Sequence, residues 1–263
     1  AYFSSVSKGW LNHAQRYTEM ITQRLELAGD SLVIEVASND GYLLQYVAEL
    51  GIPCLGVEPT ESTANVAIAR GIPTIVRFFG RALAQEILAT NGPSDLVIGN
   101  NVLAHVPDLH DFTSGMAKIL APEGTISLEF PHLLRLVREC QFDTVYHEHF
   151  SYLSLFTVSR IFQAAGLRVY DVEKLPTHGG SLRVFGCHAD DPRSTAATVE
   201  ELVTEEARSG LQAVDAYLGF QAQANRVKDD LLMFLIEQKR AGKTVVAYGA
   251  AAKGNTLLNY AGV

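Results

Sequence analysis

The densest run of reactive side chains in the sequence is Tyr146-His147-Glu148-His149, inside the longer stretch 142–152. An imidazole with a pKa of about 6.5 can accept a proton at neutral pH. His147 and His149 would share one face of an extended segment, and histidine and carboxylate are common metal ligands. Two histidines supply too few ligands, and no third partner occurs at a recognisable spacing, so we expect no metal here.

Three other polar features stand where predicted strands end. Residues 35–41 (EVASNDG) include Glu35 and a tight turn, Glu58 closes the second strand, and residues 99–106 (GNNVLAHV) follow the fourth. In an open α/β sheet, ligands bind beyond the carboxyl ends of the strands, and an acid such as Glu58 can accept both ribose hydroxyls. Of the three glycines in the dinucleotide-binding motif G-x-G-x-x-G, only Gly41 is present. The absence of the other two favours a cofactor without phosphates.

The elements that must position these groups alternate along the chain. Short apolar runs predict strands over 32–36, 54–58, 73–76, 95–99, 125–130, 167–172 and 181–187, the last two antiparallel, with helices between the earlier ones. From 195 to 242 the pattern is helical, then 244–248 predicts a strand and 256–260 a helix. The fold class is therefore α/β: a Rossmann-like, doubly wound, mostly parallel sheet, with the start of a second small α/β domain.

Residues 30–130 together resemble the class I S-adenosylmethionine (SAM) methyltransferases. Acids end the first and second strands, and residues 120–124 (LAPEG) precede the fifth. The first turn departs from the superfamily's glycine-rich form, with Ala37 and Asn39 where glycines are common. The resemblance implies SAM as cofactor and S-adenosylhomocysteine (SAH) as product. It implies cofactor binding by Glu35, Ser38, Asn39, Gly41, Glu58, Pro59, Phe79, Asn100 and Asn101.

A narrower resemblance spans nearly the whole chain, to the sugar C-methyltransferases that act on nucleotide-linked keto-deoxysugars. It is carried by the segments 2–5 (YFSS), 38–41 (SNDG), 101–106 (NVLAHV), 146–149 (YHEH) and 177–183 (THGGSLR). It implies methyl transfer to a carbon alpha to the keto group. In that chemistry a base removes the acidified proton and hydrogen-bond donors stabilise the resulting enolate.

The same resemblance implies roles for individual residues. His149 is the implied base, with Tyr146 close by and Glu148 as a partner for orientation or charge, and His105 is the implied enolate stabiliser near the keto oxygen. The implied substrate-binding residues are Tyr2, which would cover the substrate, His178, Gly180, Ser181 and Lys253. Around Lys253, residues 248–255 (YGAAAKGN) indicate either a phosphate or sugar-nucleotide contact or a tight packing turn.

Composition excludes several classes of protein. Lys and Arg number 21 against 29 Asp and Glu, a net charge of −8, so a global basic field for nucleic acid is absent. No stretch reaches 18 apolar residues and no signal peptide is visible, so we expect a cytoplasmic protein without a membrane span. Cys54, Cys140 and Cys187 form no C-x-x-C pair, so we expect reduced thiols. The expected partner is a small-molecule nucleotide-sugar.

The predicted domains are an N-terminal helical segment covering the active site (1–28), a SAM-binding methyltransferase domain (29–190), and a helical linker with a truncated C-terminal α/β domain (191–263). Members of the resembled family also carry an N-terminal zinc-binding segment, so we expect that this chain is a fragment and that zinc belongs only to that missing segment. His13, His110 and His188 are predicted to be structural, and Tyr152 to be part of the core; His132 fits either role.

Three alternative functions stay open at this point. The chain fits an O- or N-methyltransferase of another small molecule, or a SAM-binding module without catalysis. The intact Tyr146–His149 run argues against the second of these. A nicotinamide oxidoreductase is the third alternative, and the missing glycines of the first turn disfavour it.

Overall fold

The computed structural model describes residues 2–249 and 252–263. Strands and helices alternate as the hydrophobic patterning predicts. The strands are β1 Val33–Val36, β2 Cys54–Val57, β3 Thr74–Ile75, β4 Ser94–Asn100, β5 Leu120–Pro131, β6 Leu167–Leu175 and β7 Ser181–His188. The helices are α1 Lys8–Arg24, α2 Leu44–Glu49, α3 Glu61–Ala69, α4 Arg81–Asn91, α5 Leu109–Ile119, α6 Leu133–Arg138, α7 Leu155–Ala164, α8 Ala197–Arg208, α9 Phe220–Arg240 and α10 Ala252–Ala261.

The seven strands form one sheet in the order β3-β2-β1-β4-β5-β7-β6. The pairs among β1 to β5 are parallel, and β7 runs antiparallel to both β5 and β6. The chain order reverses between β1 and β4, which places the crevice beyond their carboxyl ends at the topological switch point. The predicted doubly wound, mostly parallel sheet with an antiparallel last pair is confirmed.

The core lies on both faces of this sheet. Along β1 the side chains alternate, so that Ile34 packs into the cluster that holds α4, α5 and α7, while Val33 packs with α1 and α2. Helix α1 contributes Ala14, Tyr17 and Ile21 to the second cluster, each nearly fully buried. The N-terminal helix is therefore packed on the sheet, next to the strand ends that carry the predicted site.

Helix α8 is fastened to the sheet domain by the buried carboxylate of Glu206. It accepts hydrogen bonds from the backbone N–H groups of Leu155 (2.7 Å) and Phe156 (2.9 Å), at the start of α7, and lies 2.8 Å from Nε2 of buried His132. A carboxylate at a helix N-terminus satisfies otherwise unpaired donors. His132, which fitted either role in the sequence, is structural.

The region after α8 departs from the sequence prediction. Helices α8 and α9 lie within 195–242, which was predicted to be helical, but residues 243–249 form no strand although 244–248 was predicted as one. Ala250 and Ala251 of the predicted turn lie outside the described residues. In the part of the chain that the structure describes, no helix combines the length and hydrophobicity needed to cross a bilayer.

We predict that Glu206→Ala lowers the free energy of unfolding by about 3 kcal/mol, because it leaves buried His132 and two helix-terminal N–H groups without their acceptor. Urea denaturation monitored by circular dichroism measures the loss. The control is Glu201→Ala, a change at an exposed position on the same helix. A loss no larger than that of the control would contradict the fastening role of Glu206.

Candidate active site

The turn after β1 is held in an unusual backbone conformation. Ala37, Asn39 and Gly41 have φ angles of 59°, 50° and 75°, all in the left-handed region. Only Gly41 adopts it freely, so the two other residues carry strain that neighbouring contacts must offset. The backbone N–H of Ala37 donates to the carbonyl of Val57 at 2.7 Å, which ties the turn to β2. Ala37 and Asn39 occupy positions where glycine is common in the superfamily that this chain resembles. Both residues nevertheless adopt the left-handed backbone conformation that is typical of glycine.

Two acidic residues lie beside this turn, and their carboxyl groups differ in hydrogen bonding. Glu58 accepts hydrogen bonds from the backbone N–H groups of Asn39 (3.0 Å) and Thr60 (2.8 Å), which hold its carboxylate at the end of β2. Glu35 is 1 % exposed, and neither of its carboxyl oxygens has a hydrogen-bond partner among the described residues. Burial, and then the charges of Glu58 and Asp40, raise the pKa of Glu35 well above its usual value.

A cavity of about 570 Å³ opens at the carboxyl ends of β1, β2 and β4. Among its lining residues are five of the predicted site: Glu58, Pro59, Phe79, Asn101 and His105. Phe79 stands edge-on to buried Phe112, with ring centroids 5.5 Å apart. The lining residues that the sequence analysis missed include Phe78, which is 84 % exposed, Asp108 and Asp111.

Polar atoms at the end of β4 face the same crevice region without partners. Asn101 has a left-handed backbone (φ 53°), and its N–H donates to the carbonyl of Glu129 at 2.7 Å. Both polar side-chain atoms of Asn101 and Oδ1 of Asn100 are buried and unpaired within the described residues. Buried polar groups in folded proteins are nearly always hydrogen-bonded to protein or ordered water, so these atoms are available to a water molecule or a polar ligand.

Five of the residues predicted to bind cofactor are outside the cavity lining that the structure describes: Glu35, Ser38, Asn39, Gly41 and Asn100. Gly41 packs closely on α3, and a Cβ there would lie 3.2 Å from that of Ala67. The side chain of Asn39 bonds to the N-terminal residues Tyr2 and Ser4 instead of pointing to the cavity. Ser38 is fully buried, and its hydroxyl has no partner among the described atoms.

Two histidines beside the cavity have their Nδ1 atoms anchored by backbone carbonyls. His149 Nδ1 lies 2.8 Å from the carbonyl oxygen of Thr144, and His105 Nδ1 lies 2.9 Å from that of Glu148. Since a carbonyl can only accept, each Nδ1 carries a proton, and Nε2 of the neutral ring has the free lone pair. Burial, opposed in part by the Thr144 hydrogen bond, lowers the pKa of His149 below 6.5, which keeps the ring neutral and basic at pH 7.

Aromatic rings surround His149. Its ring centroid lies 4.8 Å from that of His105, 4.3 Å from that of Tyr146 and 6.1 Å from that of Tyr152. Tyr152, predicted to be core, is half-buried and stands edge-on to this histidine. The exposed carboxylate of Glu148 makes no hydrogen bond in the described chain, so it is the backbone of Glu148 that orients His105.

The residues predicted to bind substrate lie outside the described lining of this cavity, and Gly180 and Ser181 line a separate one. Tyr2 is 70 % exposed. Lys253 Nζ donates to the carbonyl of His178 at 3.4 Å. Ser181 Oγ is buried and donates to the carbonyl of Thr177, and Gly180 (φ 116°) is packed so closely that a Cβ would lie 2.8 Å from a side-chain carbon of Arg135.

A buried carboxylate to which the sequence analysis assigned no role joins several elements of this region by hydrogen bonds. Glu129, at the end of β5, accepts hydrogen bonds from His13 Nε2 (2.8 Å), Arg183 Nη2 (3.0 Å) and Thr177 Oγ1 (2.9 Å). Burial raises the pKa of Glu129, but His13, Arg183 and Thr177 together lower it below its ordinary value. His13 also stacks on Trp10, with ring centroids 4.9 Å apart. Helix α1 and the 177–181 segment are thereby joined to the central sheet.

Comparisons with known proteins agree with this architecture. Residues 10–172 match a family model described as a methyltransferase domain, and residues 176–263 match one described as a C-methyltransferase C-terminal domain. C-methyltransferase NovU of Streptomyces niveus is 35 % identical over 262 residues, which are 100 % of this chain and 62 % of NovU. The chain thus spans less than two thirds of that relative. A ubiquinone biosynthesis O-methyltransferase of Rhizobium johnstonii is 30 % identical over 36 % of this chain and 38 % of its own length.

Solved structures show the same fold. Magnesium protoporphyrin IX methyltransferase of Synechocystis, crystallised with bound SAH, has a TM-score of 0.53 at 17 % identity, covering 68 % of this chain and 83 % of its own. The PH0226 protein of Pyrococcus horikoshii has a TM-score of 0.54 at 13 % identity, covering 71 % and 94 %. The chain belongs to the methyltransferase-domain family, with the Rossmann-like fold of the class I SAM-dependent methyltransferases.

Proposed function

We propose that this protein is a SAM-dependent C-methyltransferase that acts on a carbon alpha to the keto group of a nucleotide-linked deoxysugar. The observation that carries the proposal is the pair of carbonyl-anchored histidines, since His105 lines the cavity and its ring adjoins His149. Similarity to NovU along the entire chain supports transfer to carbon. The sugar-nucleotide class rests on the motifs around Tyr146–His149 and Thr177–Arg183.

The residues present fit SAM. Glu58 holds a fixed carboxylate at the position where acids bind ribose hydroxyls, and Asn101 and Asn100 offer unpaired polar atoms. Glu35, unpaired and surrounded by acids, fits a cationic group such as an ammonium. When bound, SAM supplies a methyl group on a positively charged sulfur, which is the electrophile of the reaction.

His149 is the base in this proposal. Its Nε2 lone pair accepts the proton from the sugar carbon, and the anchored Nδ1–H fixes the ring in the tautomer that makes this possible. The adjacent keto group acidifies the carbon, and negative charge accumulates on its oxygen as the proton leaves. A hydrogen-bond donor must therefore meet that oxygen.

Two groups beside His149 can donate to the developing enolate oxygen. Burial, together with the charge of Glu148, raises the pKa of Tyr146, so its phenol stays protonated and can donate. His105 uses its Nδ1 proton on the carbonyl of Glu148, so it can donate from Nε2 only as an imidazolium. Near neutral pH, therefore, the phenol of Tyr146 can donate while the ring of His149 is neutral and can act as the base.

The alternatives predict different readouts. O- or N-methylation needs no acidic carbon, and the O-methyltransferase relatives match only about a third of the chain. We therefore test carbon acidity directly, by incubating the protein with SAH and a panel of thymidine diphosphate keto-deoxysugars in deuterated water. We expect deuterium at the alpha carbon without methyl transfer, and methylated product by mass spectrometry when SAM replaces SAH. If a sugar of the panel is methylated with SAM, but no sugar takes up deuterium at its alpha carbon, the result would favour an O- or N-methyltransferase.

We predict that His149→Asn lowers methyl transfer and alpha-carbon exchange at least about 100-fold, because it removes the base. SAM affinity should stay nearly intact, as measured by titration calorimetry. The matched control is His147→Asn, a change at an exposed neighbour that should leave the rate unchanged. Turnover at the wild-type rate by the His149 variant would remove this residue from the base role.

The pH profile gives a second prediction for the same residue. Since His149 must be neutral and its pKa is lowered, kcat/KM should rise with pH through a value below 6.5 and level off near neutrality. Initial rates across this pH range measure the acid limb. An acid limb centred above 6.5 would contradict a buried, neutral His149 as the base.

We predict that Glu35→Gln stabilises the protein while weakening the binding of SAM. Because the folded-state pKa of Glu35 is raised, its contribution to stability is full below about pH 4.5 and is lost as pH rises through that raised value. The variant should therefore have a higher free energy of unfolding than the wild type near neutral pH, with the gap closing towards pH 4. Urea denaturation and calorimetry measure the two effects, and Glu49→Gln, at an exposed position on α2, is the control. Unchanged SAM affinity would exclude Glu35 from the cofactor site.

A further inference from the structure

The side chain of Asn39 makes two hydrogen bonds to the backbone of residues near the start of the chain. Its Oδ1 accepts the backbone N–H of Ser4 at 2.9 Å, and its Nδ2 donates to the backbone carbonyl of Tyr2 at 2.9 Å. We call residues 2–7, which lead into α1, the N-terminal strap. One amide side chain thus bonds the strap backbone on both sides of Phe3, independently of the strap's own side chains.

The next residue of the same turn makes a second attachment. Oδ2 of buried Asp40 accepts from both the backbone N–H (3.3 Å) and the hydroxyl of Ser5. The guanidinium of Arg70 closes the attachment, since it donates to Ser5 Oγ and to the carbonyl of Asp40, each at 3.0 Å. Two successive side chains of the turn after β1 therefore hold the strap, through four contacts with Tyr2, Ser4 and Ser5.

The other side of this turn faces the cofactor cavity. Ala37 lines that cavity, and the backbone N–H of Asn39 donates to the carboxylate of Glu58, another lining residue. Ala37 and Asn39 both have left-handed backbones, which cost free energy in residues other than glycine. The cavity wall and the strap therefore depend on one strained conformation of residues 37–41.

We propose that Asn39 is a positioning residue that couples occupancy of the cofactor cavity to docking of the N-terminal strap. A ligand held by Glu58 stabilises the strained turn from one side, and the strap stabilises it from the other. Two groups that bind the same conformation of a shared element favour each other's binding. The coupling rests on the proposed cofactor site, and it is reciprocal: a bound cofactor favours the docked strap, and the docked strap, which carries the substrate-binding candidate Tyr2, favours the bound cofactor.

The amides of Ser4 and Ser5 report the docked strap directly, since each donates to a side chain of the turn. We expect SAH to slow hydrogen exchange at these two amides at least about fivefold in the wild type, the lower end of ordinary coupling. In Asn39→Gly the turn keeps its backbone conformation but loses the two hydrogen bonds to the strap, so SAH should leave both exchange rates unchanged. Because the coupling is reciprocal, this variant should also bind SAH about fivefold more weakly than the wild type. Glu26→Gly, at an exposed left-handed position away from the strap, should behave as wild type.

A second readout separates positioning from general stability. Asn39→Gly should raise KM for a thymidine diphosphate keto-deoxysugar about tenfold or more and change kcat less, while Asn39→Asp, which keeps the acceptor for Ser4, should recover part of the loss. If calorimetry detects no binding of SAH to the wild type, the proposed cofactor site is wrong and the coupling with it. If SAH binds but the Ser4 and Ser5 amides exchange at the same rate with and without it, the coupling alone is wrong.

Discussion

Three carboxylates crowd the carboxyl ends of β1 and β2, and the site depends on how each is satisfied. Asp40 is held by Ser5, and Glu58 by two backbone N–H groups, whereas buried Glu35 has no partner among the described residues. An unpaired carboxyl group in a buried position resists ionisation, and neighbouring negative charges add to that resistance. In the proposed cofactor site, a bound cation would relieve this unfavourable arrangement. The turn after β1 carries a further cost in the left-handed backbones of Ala37 and Asn39, and of these residues Ala37 lines the cavity.

Backbone groups also fix the orientation of the two histidines, His105 and His149. A carbonyl oxygen decides the tautomer of each ring, and for a base the tautomer matters as much as the pKa. Because Thr144 and Glu148 act through their main chains, the identity of their side chains says nothing about this role. His105 is accordingly oriented by the backbone carbonyl of Glu148, and the exposed carboxylate of Glu148 takes no part in orienting it.

Hydrophobic periodicity predicted all seven strands of the sheet and their directions, since buried parallel strands are continuous apolar runs. It failed at 244–248, where Val246 is 87 % exposed and no neighbouring strand pairs with it in the described residues, so an apolar run has nothing to pack against. The carboxyl ends of the strands then placed Glu58 and Asn101 at the cavity. The His13–Glu129 and His132–Glu206 pairs escaped prediction because each joins residues far apart in sequence, and single-residue spacing carries no signal of such contacts.

His105 connects the two halves of the candidate site. It lines the cavity next to the loop that follows β4, and its ring stands 4.8 Å from that of His149, which belongs to a segment more than forty residues later. The backbone of that later segment holds His105 through the carbonyl of Glu148, while the N–H groups of Phe150 (2.8 Å) and Ser151 (3.2 Å) donate to the carbonyl of Ala104. Three hydrogen bonds to backbone carbonyls therefore join the loop after β4 to the segment 148–151. A ligand that displaces the loop would also shift the segment that carries His149, so filling of the cavity and placement of the proposed base are coupled.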